Sequence, residues 1–232
     1  MYKVFLLLPF LLLLGVGFLF SQSVGLQKET NQFTERVDLL NNNDIYHFKS
    51  DDSYTGTPYY YKTFLLGNVY LKGELLERNV SLRLNLFADE IEYKKSSDVT
   101  DGETLAIIKS EDISVSINNE MIIYKASKGF FIVVFDGVNY SLLKKIEKKY
   151  YPFKKAATSL TKDVPAVFID KIGYYLVTKD GLVIELPNSK VKKLKAFDTN
   201  YELAKKYTKE KNLDLNKERD LKRLFIYLDN KN

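Results

Sequence analysis

The chain has 232 residues, 45% of them hydrophobic and 14% aromatic, and carries a formal net charge of +5. It contains no Cys, no Trp and a single His. Disulfides, thiolate nucleophiles, cysteine zinc ligands and Fe–S clusters are therefore excluded, as is a bacterial lipoprotein anchor, which needs a cysteine at the cleavage point.

Residues 1–23 read as a secretory signal peptide. Lys3 supplies a short positive start, Val4 to Phe20 form an apolar run of 17 residues, and Ser21 and Ser23 supply small residues spaced for cleavage. An uncleaved anchor is the competing reading, since such a run sits at the low end of what spans a bilayer. No later apolar stretch approaches that length, so no transmembrane segment is expected once the signal is removed. Residues 24–56 form a polar lead. FTERVDLL suits a short helix, and the rest, through NNN at 41–43 and KSDDSYTGTP, reads as loop. The lone His47 lies here. Asp44 and Asp51 could assist it only by chance, and we read it as incidental rather than as a triad base or metal ligand.

From residue 57 to 187 the hydrophobic period is two. GNVYLKG is bounded by glycines. NVSLRLNLF then puts Val80, Leu82, Leu84 and Leu86 on one face, with Ser81, Arg83 and Asn85 on the other. EIEYKK, TLAIIKS, DISVSI and EMIIYKA follow at short spacing, with Asn118-Asn119 as a hairpin turn. KGFFIVVFDG is continuously apolar and predicts a strand buried on both faces. Asp136-Gly137 and Asp180-Gly181 mark further turns among VNYSLLKKI, KKYYPFKK, PAVFIDK, GYYLVTK and LVIEL. Residues 188–232 turn helical. Thr199 and Glu202 have capping-box spacing ahead of a stripe of Tyr201, Ala204 and Tyr207. A last helix begins near Asn216, with Leu221, Leu224, Phe225 and Leu228 at i, i+3, i+4 and i+7.

The fold class this predicts is mainly β (α+β): an antiparallel meander, sandwich or barrel-like sheet with a helical C-terminal appendage packed on it. Charge is unevenly distributed along the chain. Residues 24–143 hold 12 Lys and Arg against 18 Asp and Glu, and residues 144–232 hold 22 against 12. A basic half suits an acidic partner or an anionic surface, and an exported address argues against nucleic acid.

Few residues suggest chemistry. Glu90 and Glu92 in ADEIEYKK lie on one strand face, roughly 6.5–7 Å apart, a spacing that also fits an inverting glycosidase. Any Glu-x-Glu in a strand has this spacing, so the pair reads as the wet side of a ribbon. KKIEKKYYPFKK, with Lys144, Lys145, Lys148 and Lys149, reads as an amphipathic strand whose lysines stay solvated or guard an edge. Tyr59, Tyr60 and Tyr61 in TPYYYKTF are either a sugar platform or core packing. No glycine-rich phosphate loop or nucleophile elbow is present, and no cofactor is expected.

The succession GNVYLKG, LRLNLFADEIEY, IIKSEDISVSI, GFFIVVFDGVNYSLLKK, YYLVTKDGLVIEL and KEKNLDLNKERDLKRLFIYLDN resembles a family of uncharacterised secreted proteins from Bacteroidota. The resemblance runs from about residue 57 to the C-terminus. It implies a β-rich body with a helical tail, in the periplasm or outside the cell. It implies no enzymatic activity and carries no binding residues across.

The expectation is thus an exported, non-enzymatic module that binds a protein partner in the cell envelope. Its candidate contacts are Leu221, Leu224, Phe225 and Leu228 on the last helix and Lys144, Lys145, Lys148 and Lys149. A carbohydrate-binding domain, a small-ligand carrier and an accessory subunit of an outer-membrane machine are the alternatives.

Overall fold

The computed structural model describes residues 54–94, 104–158 and 160–231, together with the strand Asn41–Asn42. The signal segment, most of the lead and His47 lie outside the described residues. The strands are β1 (Asn41–Asn42), β2 (Tyr54–Thr55), β3 (Leu65–Leu71), β4 (Glu74–Asn85), β5 (Glu90–Lys94) and β6 (Thr104–Ile107). They continue as β7 (Ile113–Ile117), β8 (Glu120–Lys125), β9 (Gly129–Asp136), β10 (Tyr140–Tyr151), β11 (Ala166–Thr178) and β12 (Val183–Leu186). Three helices follow: α1 (Lys190–Lys195), α2 (Tyr201–Glu210), led in by a 3-10 turn at Asp198–Asn200, and α3 (Glu218–Asp229).

The fold class is mainly β with a helical C-terminal region. One sheet runs in the order β1-β6-β5-β4-β3-β7-β8-β9-β10-β11-β12, and β2 adds to β11. The hairpin turns explain this order. Asn118 and Asn119 both take positive φ, 51° and 64°, between β7 and β8. Lys72 and Gly73 do the same between β3 and β4, at 52° and 81°. Two successive positive φ values make a turn whose twist matches that of the strands it joins. From β3 the chain winds outward to β6, then returns to the other side of β3 as β7 and winds outward again.

The sheet is strongly curled. Five inter-strand steps separate β5 from β9, which would place them roughly 24 Å apart if the sheet were flat. Yet Asp89, just before β5, accepts the Phe130 amide of β9 at 3.1 Å and lies 3.7 Å from the Lys145 ammonium of β10. Phe87 meets Phe168 of β11 edge-on, ring centres 5.5 Å apart. Twist and curl carry the β4–β5 turn back onto the second half of the same sheet.

Two pairs of segments that look separate in the sequence merge. VNYSLLKKI and KKYYPFKK share the single strand β10, and PAVFIDK and GYYLVTK share β11; the two pair without a register shift from Tyr140↔Thr178 to Tyr151↔Val167. KGFFIVVFDG is only half as expected. Gly129 to Ile132 are buried, but the strand grows more exposed toward Asp136, where its neighbours thin out.

The helices cover one face of β9 to β12. Leu221, Leu224, Phe225 and Leu228 are fully buried in a cluster with Leu142, Leu176, Leu186, Leu194, Phe197, Leu213 and Leu215. Each such side chain contributes about 1.5–3 kcal/mol by leaving water. Phe197 stacks edge-on to Phe225 at 5.1 Å and to Tyr140 at 5.6 Å, which ties the helices to the start of β10. A carboxylate closes the arrangement. Asp229, the last residue of α3, accepts the backbone N–H groups of Val138, Asn139 and Tyr140 at 3.1, 2.6 and 3.0 Å. The capping box expected of Thr199 and Glu202 does not form. α2 starts at Tyr201 behind a 3-10 turn, and its N-cap Asn200 makes no side-chain cap bond. Among the described residues no helix is long and apolar enough to cross a membrane.

Candidate functional site

Glu90 and Glu92 are not on a wet face. Their relative exposures are 8% and 0%, and β5 is buried on both sides. The reason lies across the hairpin. The β4–β5 register sets Arg83 opposite Glu92. Arg83 donates Nε and Nη2 to Glu92 Oε2 at 2.9 and 2.5 Å, and Asn85 Nδ2 donates to Oε1 at 2.9 Å. The guanidinium is roofed by Tyr59, 3.6 Å from the ring centre, and faces Phe64 at 4.3 Å. Every strong valence of Glu92 is thus met from within. A carboxylate clamped by a guanidinium and an amide is fixed in place with its oxygens occupied, an arrangement that suits fold specificity.

The tyrosine cluster is likewise turned inward. Tyr60 donates to Glu120 Oε1 at 3.1 Å, and Tyr61 donates to Oε2 of the same carboxylate. Burial pushes the Tyr60 phenol up to about 12, reinforced by the charge of Glu120, and pushes Tyr61 up as well. Burial, then the charge of Glu92, raises Tyr59. Tyr150 packs on Tyr54 and Phe168 at 6.4 and 5.1 Å. None of these forms the flat, open ring platform a sugar would stack on.

The structure also redistributes the residues expected to meet a partner. Leu221, Leu224, Phe225 and Leu228 are covered by the protein's own sheet and helices and offer no surface. Lys144 reaches Glu218 at 2.9 Å, beneath α3. Lys145 lies beside Asp89 on the opposite face of β10 and also donates to the Lys128 carbonyl. Lys148 pairs with Asp170 of β11. Alternation along the strand splits these lysines between two faces, and of the four only Lys149 is exposed.

What stands open is the far half of the β10–β11 hairpin. β9 pairs with β10 only from Ser141 to Lys144, and β12 pairs with β11 only from Tyr174 to Val177. Beyond those points the two strands run on together as an arm, joined among the described residues only by β2 at Ala166 and Val167 and touched by Phe87 at Phe168, and tied near its tip by Lys154 and Val164, whose amides exchange bonds at 2.9 and 2.8 Å. Among the described residues fourteen large hydrophobic side chains are exposed, and six of them fall on this one hairpin: Tyr151, Phe153, Leu160, Val164, Ile169 and Ile172. Six on one hairpin is a concentration and not the singly scattered apolarity usual at a surface. Lys149, Lys154, Lys155 and Lys162 interleave with it.

At the arm's root a recess of about 480 Å³ opens beside β11, lined by Gly173, Lys145, Lys171, Lys193, Glu147 and Glu185 among others. Lys193, from α1, is 3% exposed. Its ammonium donates to the Leu215 carbonyl at 2.8 Å and to Asn216 Oδ1 at 3.1 Å. Desolvation holds its pKa below the usual lysine value. The sequence contained one clue to this place: Pro187 directly after LVIEL stops β12 short of β11's full length. Lys193 itself was hidden among the four lysines of KVKKLK. Among the described residues, no three His, Asp or Glu side chains gather as metal ligands.

Comparison with known proteins adds no name to this geometry: no family model, no curated protein and no solved structure matches the chain.

Proposed function

We propose that this is an exported, non-catalytic module that docks a protein partner in the cell envelope, using the β10–β11 arm as its contact surface. The observation that carries the reading is the run of exposed Tyr151, Phe153, Leu160, Val164, Ile169 and Ile172 on one protruding, lysine-studded hairpin. Exposing apolar groups in this density disfavours solubility unless a partner covers them. Interleaved lysines keep the bare ribbon from pairing with itself and favour an acidic partner surface. The most nearly catalytic carboxylates, Glu90 and Glu92, are buried, and Glu92 is fully engaged in an internal ion pair. The export half of the proposal comes from the first 23 residues, whose pattern is that of a cleaved signal.

Cell fractionation with mass measurement tests the address. Recovery from the envelope or medium with an N-terminus just after Ser21 or Ser23 is expected. Recovery of the full-length chain from the cytosol contradicts export. Replacing residues 153–165 by a two-residue Asn-Gly turn, together with Tyr151→Thr and Ile169→Thr, tests the surface. The shortened arm should keep its unfolding temperature yet lose partner recovery; unchanged recovery removes the arm from the account.

A further inference from the structure

Among the described residues, the outer lane of β11 is occupied at both ends and open in the middle. β2 pairs with Ala166 and Val167, and β12 pairs with Tyr174 to Val177. Opposite the stretch from Phe168 to Gly173 no strand lies among the described residues. Both flanks have a physical stop. β12 ends at Leu186, opposite Tyr174, and Pro187 with its fixed φ leads the chain off the sheet toward α1. At the other end Gly56 closes over Phe168, where even a Cβ would meet the Phe168 carbonyl at 3.0 Å.

The orientation of the vacant backbone follows from one bond. Thr178 N donates to Leu182 O at 3.0 Å, so even-numbered residues of β11 face the outer lane. The β10–β11 register has no shift, so the alternation holds down the strand. Asp170 and Ile172 therefore turn their N–H and C=O groups into the empty lane. Ile169 and Ile172, 50% and 52% exposed, stand on opposite faces beside it.

We propose that this vacant lane receives an extended acidic peptide as an added strand, with one carboxylate side chain entering the recess over Gly173 toward Lys193. Strand addition to an open edge draws affinity from main-chain bonds and selectivity from the pockets beside them. Here the pocket chemistry selects negative charge. Lys145 and Lys171 already have partners, Asp89 and Glu147 at 3.7 and 3.2 Å. Lys193 has only neutral acceptors, and no carboxylate lies within 4.0 Å of it among the described ion pairs. Burial disfavours this cation, the charge of Asp214 offsets that only in part, and a peptide carboxylate would relieve the remainder. α1 extends the positive field with exposed Lys190, Lys192 and Lys195 and has no acidic residue in its first turn.

A second copy of the chain fits poorly. A closed dimer through this edge puts its two-fold axis across the lane, so facing residues must share parity. Centring on the vacant stretch then sets Asp170 against Asp170 or Lys171 against Lys171, which are like charges directly opposed.

This proposal rests on the docking reading above and narrows it to one edge and one ligand chemistry. The probes are two synthetic octapeptides, alternating Val-Glu and alternating Val-Lys, added to the purified 15N-labelled full chain. With the Val-Glu peptide, hydrogen exchange at the Asp170 and Ile172 amides should slow at least tenfold, and the neighbouring odd-numbered amides should change little. Ile172→Pro removes an edge N–H that no strand uses and should abolish the effect. Lys193→Met should weaken binding at least tenfold, with the thermal melt checking that the fold survives. No slowing at Asp170 and Ile172, or equal binding of the Val-Lys peptide, overturns the proposal. Protection that appears without peptide and grows with protein concentration overturns it in favour of self-association. Loss of the shortened arm's partner alongside a silent peptide titration would sink this edge alone and leave the docking reading standing.

Discussion

Asp229 and Gly137 approach so closely that a Cβ added at Gly137 would lie 2.5 Å from the Asp229 carboxylate carbon. The absent side chain is what lets the end of α3 reach over the β9–β10 turn and collect three backbone donors. Helix and sheet are joined here by one carboxylate and one missing methyl group. Gly137→Ala should therefore destabilise the protein by about 1–3 kcal/mol, the usual range for forcing an extra carbon into a filled site. Urea unfolding should show a lower midpoint with an unchanged m-value. A Gly137→Ala protein as stable as the original would contradict this joint.

The same carboxylate predicts an acid limb. Burial raises the Asp229 pKa, and the N–H groups of Asn139, Tyr140 and Val138 outweigh it, leaving the group below the ordinary value of 3.8. A depressed folded-state pKa contributes stability above the unfolded value and loses it as pH falls through the folded one. Stability should decline below about pH 4, and Asp229→Asn should flatten that decline relative to the original chain. Thermal melts from pH 6 down to pH 2 supply the comparison.

The turns were the most legible part of the sequence. Asn118-Asn119 and Asp180-Gly181 sit between the strands they join, because a backbone that needs positive φ leaves a local signature, and Asp136-Gly137 marks the end of β9 without one. The paired glutamates were misread for the opposite reason. Whether Glu92 is wet depends on Arg83, nine positions away, and on the register that the 86–89 turn imposes. Both residues stood on their strands' polar faces, so the pairing was visible in principle. What was not visible was the cover: the curl of the sheet and the chain around Tyr59 and Phe64 that buries that face. The α3 stripe was plain from its spacing, but spacing cannot say whether a stripe meets the protein's own sheet or a partner.

The Arg83–Glu92 pair should behave as structure and not as chemistry. Replacing one partner strands a charge in the interior, so Glu92→Leu or Arg83→Met should each cost about 3–5 kcal/mol. The double variant should cost clearly less than the sum. A double-mutant cycle by chemical denaturation reads the coupling, and simple additivity would mean that the two side chains do not depend on each other.

Leu224 and Phe225 test where the last helix spends its apolar face. Either truncated to Ala should cost about 2–5 kcal/mol and expose sheet surface to hydrophobic dyes. If both variants keep full stability and lose only partner binding, the helix face is a docking surface after all.

Tyr60 carries an alkaline prediction. Its phenol is raised to about 12 in the folded state against 10.0 in the free side chain. A raised acid contributes stability below its unfolded pKa, and that contribution drains away as pH climbs from about 10 to about 12. Tyr60→Phe should thus be less sensitive than the original chain across that window. The difference in ultraviolet phenolate absorbance between the two proteins should show one tyrosine ionising near pH 12.

The central claim, that the β10–β11 arm meets a protein partner, is tested most directly by placing a photo-activated cross-linking residue in living cells. Positions Phe153, Leu160 and Ile169 on the arm are compared with Leu75 at the far β3–β4 hairpin. The account predicts one discrete adduct shared by the three arm positions and absent at Leu75. Adducts of equal strength at all four, or at Leu75 alone, would contradict it.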